Sequence, residues 1–300
     1  MFDGFCNSWD GWRLAILNSG IEEVVTHPKE KEMNKSKTLL NLDNVTLTFG
    51  KVVSLSDISF DVYDNEILSI IGPNGAGKTS VINCISGFYK PSRGSVLFEG
   101  KDITRGRPDK IARLGIGRTF QNIQLYTGLT TLDNIMAGRH LKMKCGFASN
   151  AVFFGRTLRE EKRERRIVEE IIDVLNLQEF RDQVVGTLAY GTRKVIELGR
   201  ALALEPKMLI LDEPMAGMNV EEKEDMARYV IDIYEGQKRG YDSQILKNGV
   251  KSIIFIEHNM DVVMDIADRI IVMDFGIKIA DGIPEEIRAD AKVIKAYLGE

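Results

Sequence analysis

The chain has 300 residues, of which 44% are hydrophobic and 28% are charged, a balance typical of a soluble globular protein with one large core or two smaller ones. Its 40 lysines and arginines stand against 44 aspartates and glutamates, which excludes a basic surface that would hold nucleic acid or an acidic membrane non-specifically. Its three cysteines are widely spaced and form no C-x-x-C pair, which argues against a disulfide framework or a zinc site.

The apolar runs of the chain are all shorter than the ~20 residues that a helix needs to cross a bilayer. The start, Met1-Phe2-Asp3, lacks the basic character of a signal peptide. Together with the cysteine usage, these observations predict a cytoplasmic protein.

Residues 1–37 contain both tryptophans and a charged stretch at 27–32, without a sustained hydrophobic period. This pattern predicts a flexible N-terminal extension ahead of one domain over residues 38–300. Two interpretations of the extension stay open: a real segment of the protein, or translation that naturally begins at Met33.

Apolar and polar residues alternate over 42–49 and again over 58–62, and the period of two predicts half-buried antiparallel strands. A further strand is expected over residues 95–98. The first strand ends at Phe49, whose ring either stacks on an adenine base or packs in the core; the sequence leaves both interpretations open.

The stretch Gly72–Ser80 contains the pattern G-x-x-x-x-G-K-[ST]. It follows a β-branched apolar run at 67–71, which predicts a buried strand, and it precedes a run with helical character. In this context the glycines let backbone amides surround a phosphate at the positive end of the helix dipole. A glycine-rich turn that happens to contain a lysine is the less favoured alternative.

The chemistry of this loop predicts a bound nucleotide and a magnesium ion. Lys78 is expected to reach the β- and γ-phosphates, and the hydroxyl of Thr79 to bind Mg²⁺. The residues that we predict to contact the nucleotide here are Gly72, Pro73, Asn74, Gly75, Ala76, Gly77, Lys78, Thr79 and Ser80.

Between residues 121 and 186 the sequence changes to helical patterns. A short helix is predicted over 131–137, and a long one from Leu158 to Leu175 whose first half carries charges of both signs. These charges favour a solvated face with i,i+4 pairs over a binding patch. We expect a helical subdomain over about 122–187.

A second apolar strand, at 208–211, ends in Asp212 and Glu213. A buried carboxylate pair is costly unless a cation compensates it, and a magnesium ion beside Thr79 would do so. We predict that Asp212 orients the ion and that Glu213 polarises an attacking water. An acidic turn that caps a helix is the alternative.

A third strand, at 252–257, is followed by His258. A lone histidine is usually structural, but the ends of apolar parallel strands converge on one crevice. We therefore predict that His258 meets the γ-phosphate.

The order of these motifs resembles that of the ATP-binding-cassette ATPase family over roughly residues 40–300. The resemblance implies an α/β P-loop NTPase fold, with a mixed-sheet core, an antiparallel β subdomain and a helical subdomain. It also implies that Phe49 stacks on adenine and that Gln121 contacts the metal and takes part in catalysis. Asp212 would be the Walker B aspartate, Glu213 the catalytic glutamate and His258 the switch histidine. Ala189 and Gly191 would contact a second subunit's nucleotide as part of the signature, and residues 215–219 would form the D-loop.

Three stretches are similar to the longer ATPase subunit of branched-chain amino-acid importers, although subunits for urea or other amides look much alike. They are 117–123 with 138–140, the basic insertion at about 146–166, and the ending 281–300. The resemblance implies ATP and Mg²⁺, a second ATPase subunit, identical or different, and integral membrane permease subunits. It further implies a periplasmic or extracellular binding protein, contacted indirectly, and a peripheral position on the cytoplasmic face of the membrane.

Several positions depart from the general cassette pattern. Ala189, Thr192 and Asn219 replace the usual serine, glutamine and aspartate, and the connection at 235–250 is longer than usual. Since the branched-chain subgroup shares Ala189 and Asn219, Thr192 is the change that favours an alternative: a weakly hydrolysing cassette paired with an active one. A soluble cassette of translation or DNA repair is disfavoured by the single phosphate loop and the absence of sustained heptads.

Overall fold

A computed structural model of the chain describes residues 37–142, 156–236 and 249–298. Predictions for the N-terminal extension up to residue 36, for 146–155 of the insertion, for 237–248 of the long connection and for the last two residues lie outside these ranges. Among the residues that the structure describes, no helix combines the length and the apolar character needed to cross a membrane.

The strands in chain order are β1 (Thr38–Phe49), β2 (Val52–Tyr63), β3 (Glu66–Ile71), β4 (Arg93–Phe98), β5 (Lys101–Asp102), β6 (Ile116–Arg118), β7 (Met208–Asp212), β8 (Ser252–Ile256), β9 (Arg269–Asp274) and β10 (Ile277–Gly282). The helices are α1 (Lys78–Ile85), α2 (Pro108–Leu114), α3 (Thr131–Gly138), α4 (Arg156–Val174), α5 (Tyr190–Leu202), α6 (Val220–Glu235), α7 (Met260–Ile266), α8 (Pro284–Ala289) and α9 (Ala291–Leu298). Short 3₁₀ turns cover Arg139–Leu141, Gln178–Phe180 and Val185–Thr187.

The strands form two sheets, and the predicted mixed core and antiparallel subdomain are confirmed. The smaller sheet has the order β2-β1-β4-β5 and is antiparallel. The larger sheet has the order β10-β9-β3-β8-β7-β6, in which only the β9–β10 pair is antiparallel. Because β3, β7 and β8 run parallel, the residues that follow them meet at one edge of the larger sheet.

The larger sheet is covered on both faces, which explains why β3, β7 and β8 read as unbroken apolar runs rather than alternating ones. Successive side chains point to opposite faces, so Ile67 and Ile71 belong to one hydrophobic cluster and Leu68 and Ile70 to another. The first cluster packs the sheet against α4, α5 and α6, and the second packs it against α1 and the smaller sheet. Each face of the larger sheet is therefore buried in one of the two hydrophobic clusters.

The helical region is tied to the rest of the chain by Arg139, a fully buried side chain just after α3. Its guanidinium donates to the carbonyl of Ala203 at 2.6 Å and to Glu205 at 2.9 Å, and it pairs with Glu164 of α4. The predicted helices over 131–137 and 158–175 are thus confirmed, and one arginine joins both to the end of α5.

Candidate active site

The phosphate loop runs from the end of β3 to the start of α1, and its backbone is tightly enclosed. A Cβ atom on Gly72 would lie 2.1 Å from the carbonyl oxygen of Met273. A Cβ on Gly77, whose φ is +100°, would lie 2.9 Å from Leu55. These contacts to β9 and β2 leave no room for side chains, so glycine is required where the loop passes them.

Lys78, the first residue of α1, is folded against this loop. Its ammonium donates to the carbonyls of Gly72 at 2.6 Å and Pro73 at 3.0 Å, and the residue is only 6% exposed. Burial lowers the pKa of Lys78, and the carboxylates of Glu213 and Asp212 act in the opposite direction. The ammonium is therefore positioned within the electrostatic field of the two predicted catalytic carboxylates.

Asp212 is the last residue of β7 and is 1% exposed. Its Oδ2 accepts a hydrogen bond from Arg118 at 3.0 Å, whereas its Oδ1 is buried without a hydrogen-bond partner. Burial raises the pKa of Asp212, and the Arg118 guanidinium lowers it. A buried carboxylate oxygen without a partner is what a cation and its water shell would satisfy, so the donor set fits a magnesium ion.

The described residues contain no group of three or more His, Cys, Asp or Glu side chains arranged to hold a metal. Thr79, the predicted hydroxyl ligand, is exposed on α1, while the neighbouring Ser80 hydroxyl lies 2.8 Å from that of Ser54.

Two residues from separate motifs, Gln121 and His258, contact the carboxylate of Glu213. Oε2 accepts from the side-chain amide of Gln121 at 3.0 Å, and Oε1 lies 2.7 Å from Nε2 of His258. Glu213 has a φ of +51°, and its amide donates to the carbonyl of Ile256 in the adjacent strand β8. The turn after β7 thus aims this side chain towards the residues that follow β6 and β8.

Phe49 is 49% exposed, so its ring is not packed in the core. It packs against the Tyr89 ring in a T-shaped arrangement, with 5.1 Å between ring centroids. Tyr89, which no sequence motif indicated, is also exposed, so the two rings together form an aromatic surface. Stacking on adenine remains a prediction.

The signature residues lie at the start of α5. Ala189 is the N-cap of α5, and a Cβ on Gly191 would lie 2.2 Å from the carboxylate of Glu222. Within the described ranges, no hydrogen bond joins Ala189 or Gly191 to the phosphate loop or to Glu213. Asn219, the D-loop departure, forms a capping box with Glu222 at the start of α6.

Sequence reasoning missed several buried charged residues beside the site. Arg118 also donates to Asn83 of α1 at 2.7 Å, and its guanidinium lies 4.9 Å from the Phe120 ring centroid. Glu257 accepts from the amide of Met215 at 2.7 Å. Arg118 and Glu257 each adjoin a motif residue or a strand end, and this position could have marked them as site residues. The sequence around Lys194 and Glu197 of α5 contains no such mark.

Residues 55–216 match the ABC transporter family, and residues 278–300 match the family of branched-chain amino acid ATP-binding cassette transporters. The high-affinity branched-chain amino acid transport ATP-binding protein BraF of Pseudomonas aeruginosa is 35% identical over 265 residues, which cover 88% of this chain and 99% of BraF. The corresponding protein LivG of Escherichia coli is 34% identical over the same shares.

Solved structures give the same picture. A nucleotide-free ATP-binding cassette from an ABC transporter is 32% identical and has a TM-score of 0.73, covering 88% of this chain and all of its own. The ADP conformation of the cassette MJ1267 is 31% identical with a TM-score of 0.73 and the same coverage.

Proposed function

This chain belongs to the ABC transporter family as an ATP-hydrolysing cassette, and we propose that it powers an importer of branched-chain amino acids. The observation that carries the catalytic part is the convergence of Gln121, Glu213 and His258 at the ends of parallel strands. The names of BraF and LivG and the match over residues 278–300 support the solute.

In the proposed reaction, Glu213 is the general base. Its carboxylate takes a proton from a water molecule whose oxygen attacks the γ-phosphorus, and the bond between the γ-phosphorus and the leaving ADP oxygen breaks. Gln121 and His258 each bind one oxygen of that carboxylate, which fixes its orientation. Lys78 and the loop amides neutralise charge on the phosphates, so most of the catalysis is positioning and electrostatics.

The nucleotide that we propose is ATP with Mg²⁺. Thr79, Gln121 and Asp212 would hold the cation, which supplies positive charge to the phosphate oxygens. The side-chain amide nitrogen of Gln121 donates to Glu213, so its side-chain oxygen would be the atom that binds the cation. Phe49 would stack on the base.

We further propose that the chain works in a head-to-tail dimer on the cytoplasmic face of a membrane. Ala189 and Gly191, which in the described ranges form no hydrogen bond to the phosphate loop or to Glu213 of their own chain, would then contact nucleotide held by a second subunit. The region 122–187 would dock on integral membrane permease subunits, a role supported by the exposed apolar side chains of Tyr126, Leu129 and Val184. A binding protein outside the membrane would deliver the solute.

One alternative has a specific observation behind it. Thr192 replaces the glutamine of the signature, which removes a polar contact that the dimer would use; this supports a cassette that hydrolyses weakly and depends on a more active partner. A transporter for urea or other amides is the alternative for the solute.

The test is a reconstitution of the chain with its co-purified membrane subunits and its paired ATPase subunit. Binding protein loaded with leucine, isoleucine or valine should stimulate ATP hydrolysis, and binding protein loaded with urea or acetamide should not. Stimulation by the amides alone would contradict the proposed solute. Assays of the isolated chain, without and with the paired subunit, separate an active cassette from a weak one.

A further inference from the structure

The signature helix α5 holds the loop that carries Gln121 through three charged side chains. Lys194, Glu197 and Arg200 recur every third residue, so they lie along one side of the helix. All three bind main-chain groups of the segment 120–124 that surrounds Gln121.

Lys194 is 3% exposed and reaches both catalytic segments. Its ammonium donates to the main-chain oxygen of Gln121 at 3.0 Å and to that of Glu213 at 3.4 Å. Because the side chains of Gln121 and Glu213 are also bonded to each other, at 3.0 Å, the three residues close a ring of hydrogen bonds. Through their main-chain oxygens, Lys194 therefore holds the two residues whose side chains are bonded to each other.

Glu197, one turn further, is 2% exposed. Its carboxylate accepts from the amides of Phe120 at 3.3 Å and Gln124 at 3.4 Å, and Arg200 donates to the carbonyl of Gln124. Burial raises the pKa of Glu197, while Lys194 lowers it. A buried charge is stable only when it is paired and hydrogen-bonded. The amides of the loop supply the hydrogen bonds to Glu197, and Lys194 supplies the opposite charge.

We propose that Lys194 is a positioning residue for ATP hydrolysis, which ties Gln121 and Glu213 to the helix whose N-terminus would face the second subunit's nucleotide. The inference rests on the proposed function and extends it. A shift of α5 is transmitted to the base that activates water, because Lys194 bonds the backbone of both segments. Hydrolysis in one site then depends on where the signature helix of the same chain lies.

Variants of Lys194 separate positioning from packing. Lys194→Met keeps the aliphatic length but loses the donor, and Lys194→Arg keeps a donor. We expect Lys194→Met to lower kcat about tenfold to a hundredfold, the usual effect of a slightly misplaced catalytic group, with the Kd for ATP unchanged within about twofold. Lys194→Arg should restore most of the rate. Lys110→Met, on the exposed side of α2, is the matched control and should behave like the unmodified chain.

Hydrogen exchange supplies a readout that does not depend on activity. Lys194→Met and Glu197→Gln should both increase exchange in the peptide that covers residues 119–125, without a comparable increase over β3 or β9. Glu197→Gln also keeps the test valid if Lys194→Met does not fold. Its kcat should fall in the same way.

Three results would overturn the inference: an unchanged kcat in both variants, a loss that appears in the Kd for ATP instead of kcat, or no rescue by Lys194→Arg. An unmodified chain that fails to hydrolyse ATP even with its partners would instead refute the proposed function. The two failures are thus distinguishable.

Discussion

The guanidinium of Arg118 and the carboxylate of Asp212 form an ion pair in nearly inaccessible surroundings, with 3.0 Å between Nη2 and Oδ2. The partners belong to adjacent parallel strands, β6 and β7. Removing one partner of such a pair leaves an uncompensated buried charge, which is far more costly than losing a surface pair.

Replacement of Arg118 therefore tests the pair. Arg118→Met should lower the free energy of unfolding by about 3–5 kcal/mol, measured by denaturant titration. The double variant Arg118→Met, Asp212→Asn should recover part of this loss because the orphaned charge is gone. Arg107→Met, which breaks the exposed pair with Asp109, should change stability by less than about 1 kcal/mol. Equal effects of the two single variants would contradict the prediction.

Replacement of Glu213 tests the proposed base. Glu213→Gln keeps the size of the side chain but removes the charge that accepts a proton, so kcat should fall by about 10² to 10⁴ while the Kd for ATP stays unchanged. Steady-state assays and nucleotide titrations measure the two quantities. Glu221→Gln, on the exposed first turn of α6, is the control. Undiminished turnover in Glu213→Gln would remove this residue from the role.

The enclosure of the phosphate loop predicts a difference between two glycines. Gly72→Ala forces a methyl group against the main-chain oxygen of Met273, and should cost about 3 kcal/mol or more and abolish nucleotide binding. Gly100→Ala meets nothing within 4 Å at a φ of +74°, so it should cost only about 1–2 kcal/mol of backbone strain. Thermal unfolding and nucleotide titration compare the pair; similar losses in both variants would show that the enclosure is unimportant.

The exposed ring of Phe49 gives a prediction about the base of the nucleotide. Phe49→Ala should weaken ATP binding by about fivefold to 150-fold, since stacking of a base on an aromatic ring is worth about 1–3 kcal/mol. Inorganic triphosphate has no base, so its affinity should not change. Val52→Ala, an exposed residue at the start of β2, is the control. An unaltered affinity for ATP would leave Phe49 without a part in binding.

The sequence was sufficient for the order of the elements and, with the family resemblance, for singling out Gln121 and His258. They were expected at the metal and at the γ-phosphate, and the structure bonds both to Glu213. Local periods located the strands and helices, and the convergence of parallel strand ends brought His258, 45 residues away, to the carboxylate. The place of Arg118 beside a motif marked it as a candidate, but its pairing with Asp212 was not predictable, because the partners are 94 residues apart and the sequence does not show that this arginine is buried. Lys194 and Glu197 look like the polar side of an amphipathic helix; only the position of the 120–124 segment turns that side inward.

The contact between Gly191 and Glu222 has a consequence for assembly. The carboxylate of Glu222 fills the space beside Gly191 and also accepts a hydrogen bond from the amide of Asn219. Glu222 therefore links the signature to the end of the D-loop. Both segments are ones that the proposed dimer would bring to the second subunit. Since they are ordered before association, less conformational entropy is lost when two cassettes close, and a larger share of the contact energy remains available for affinity.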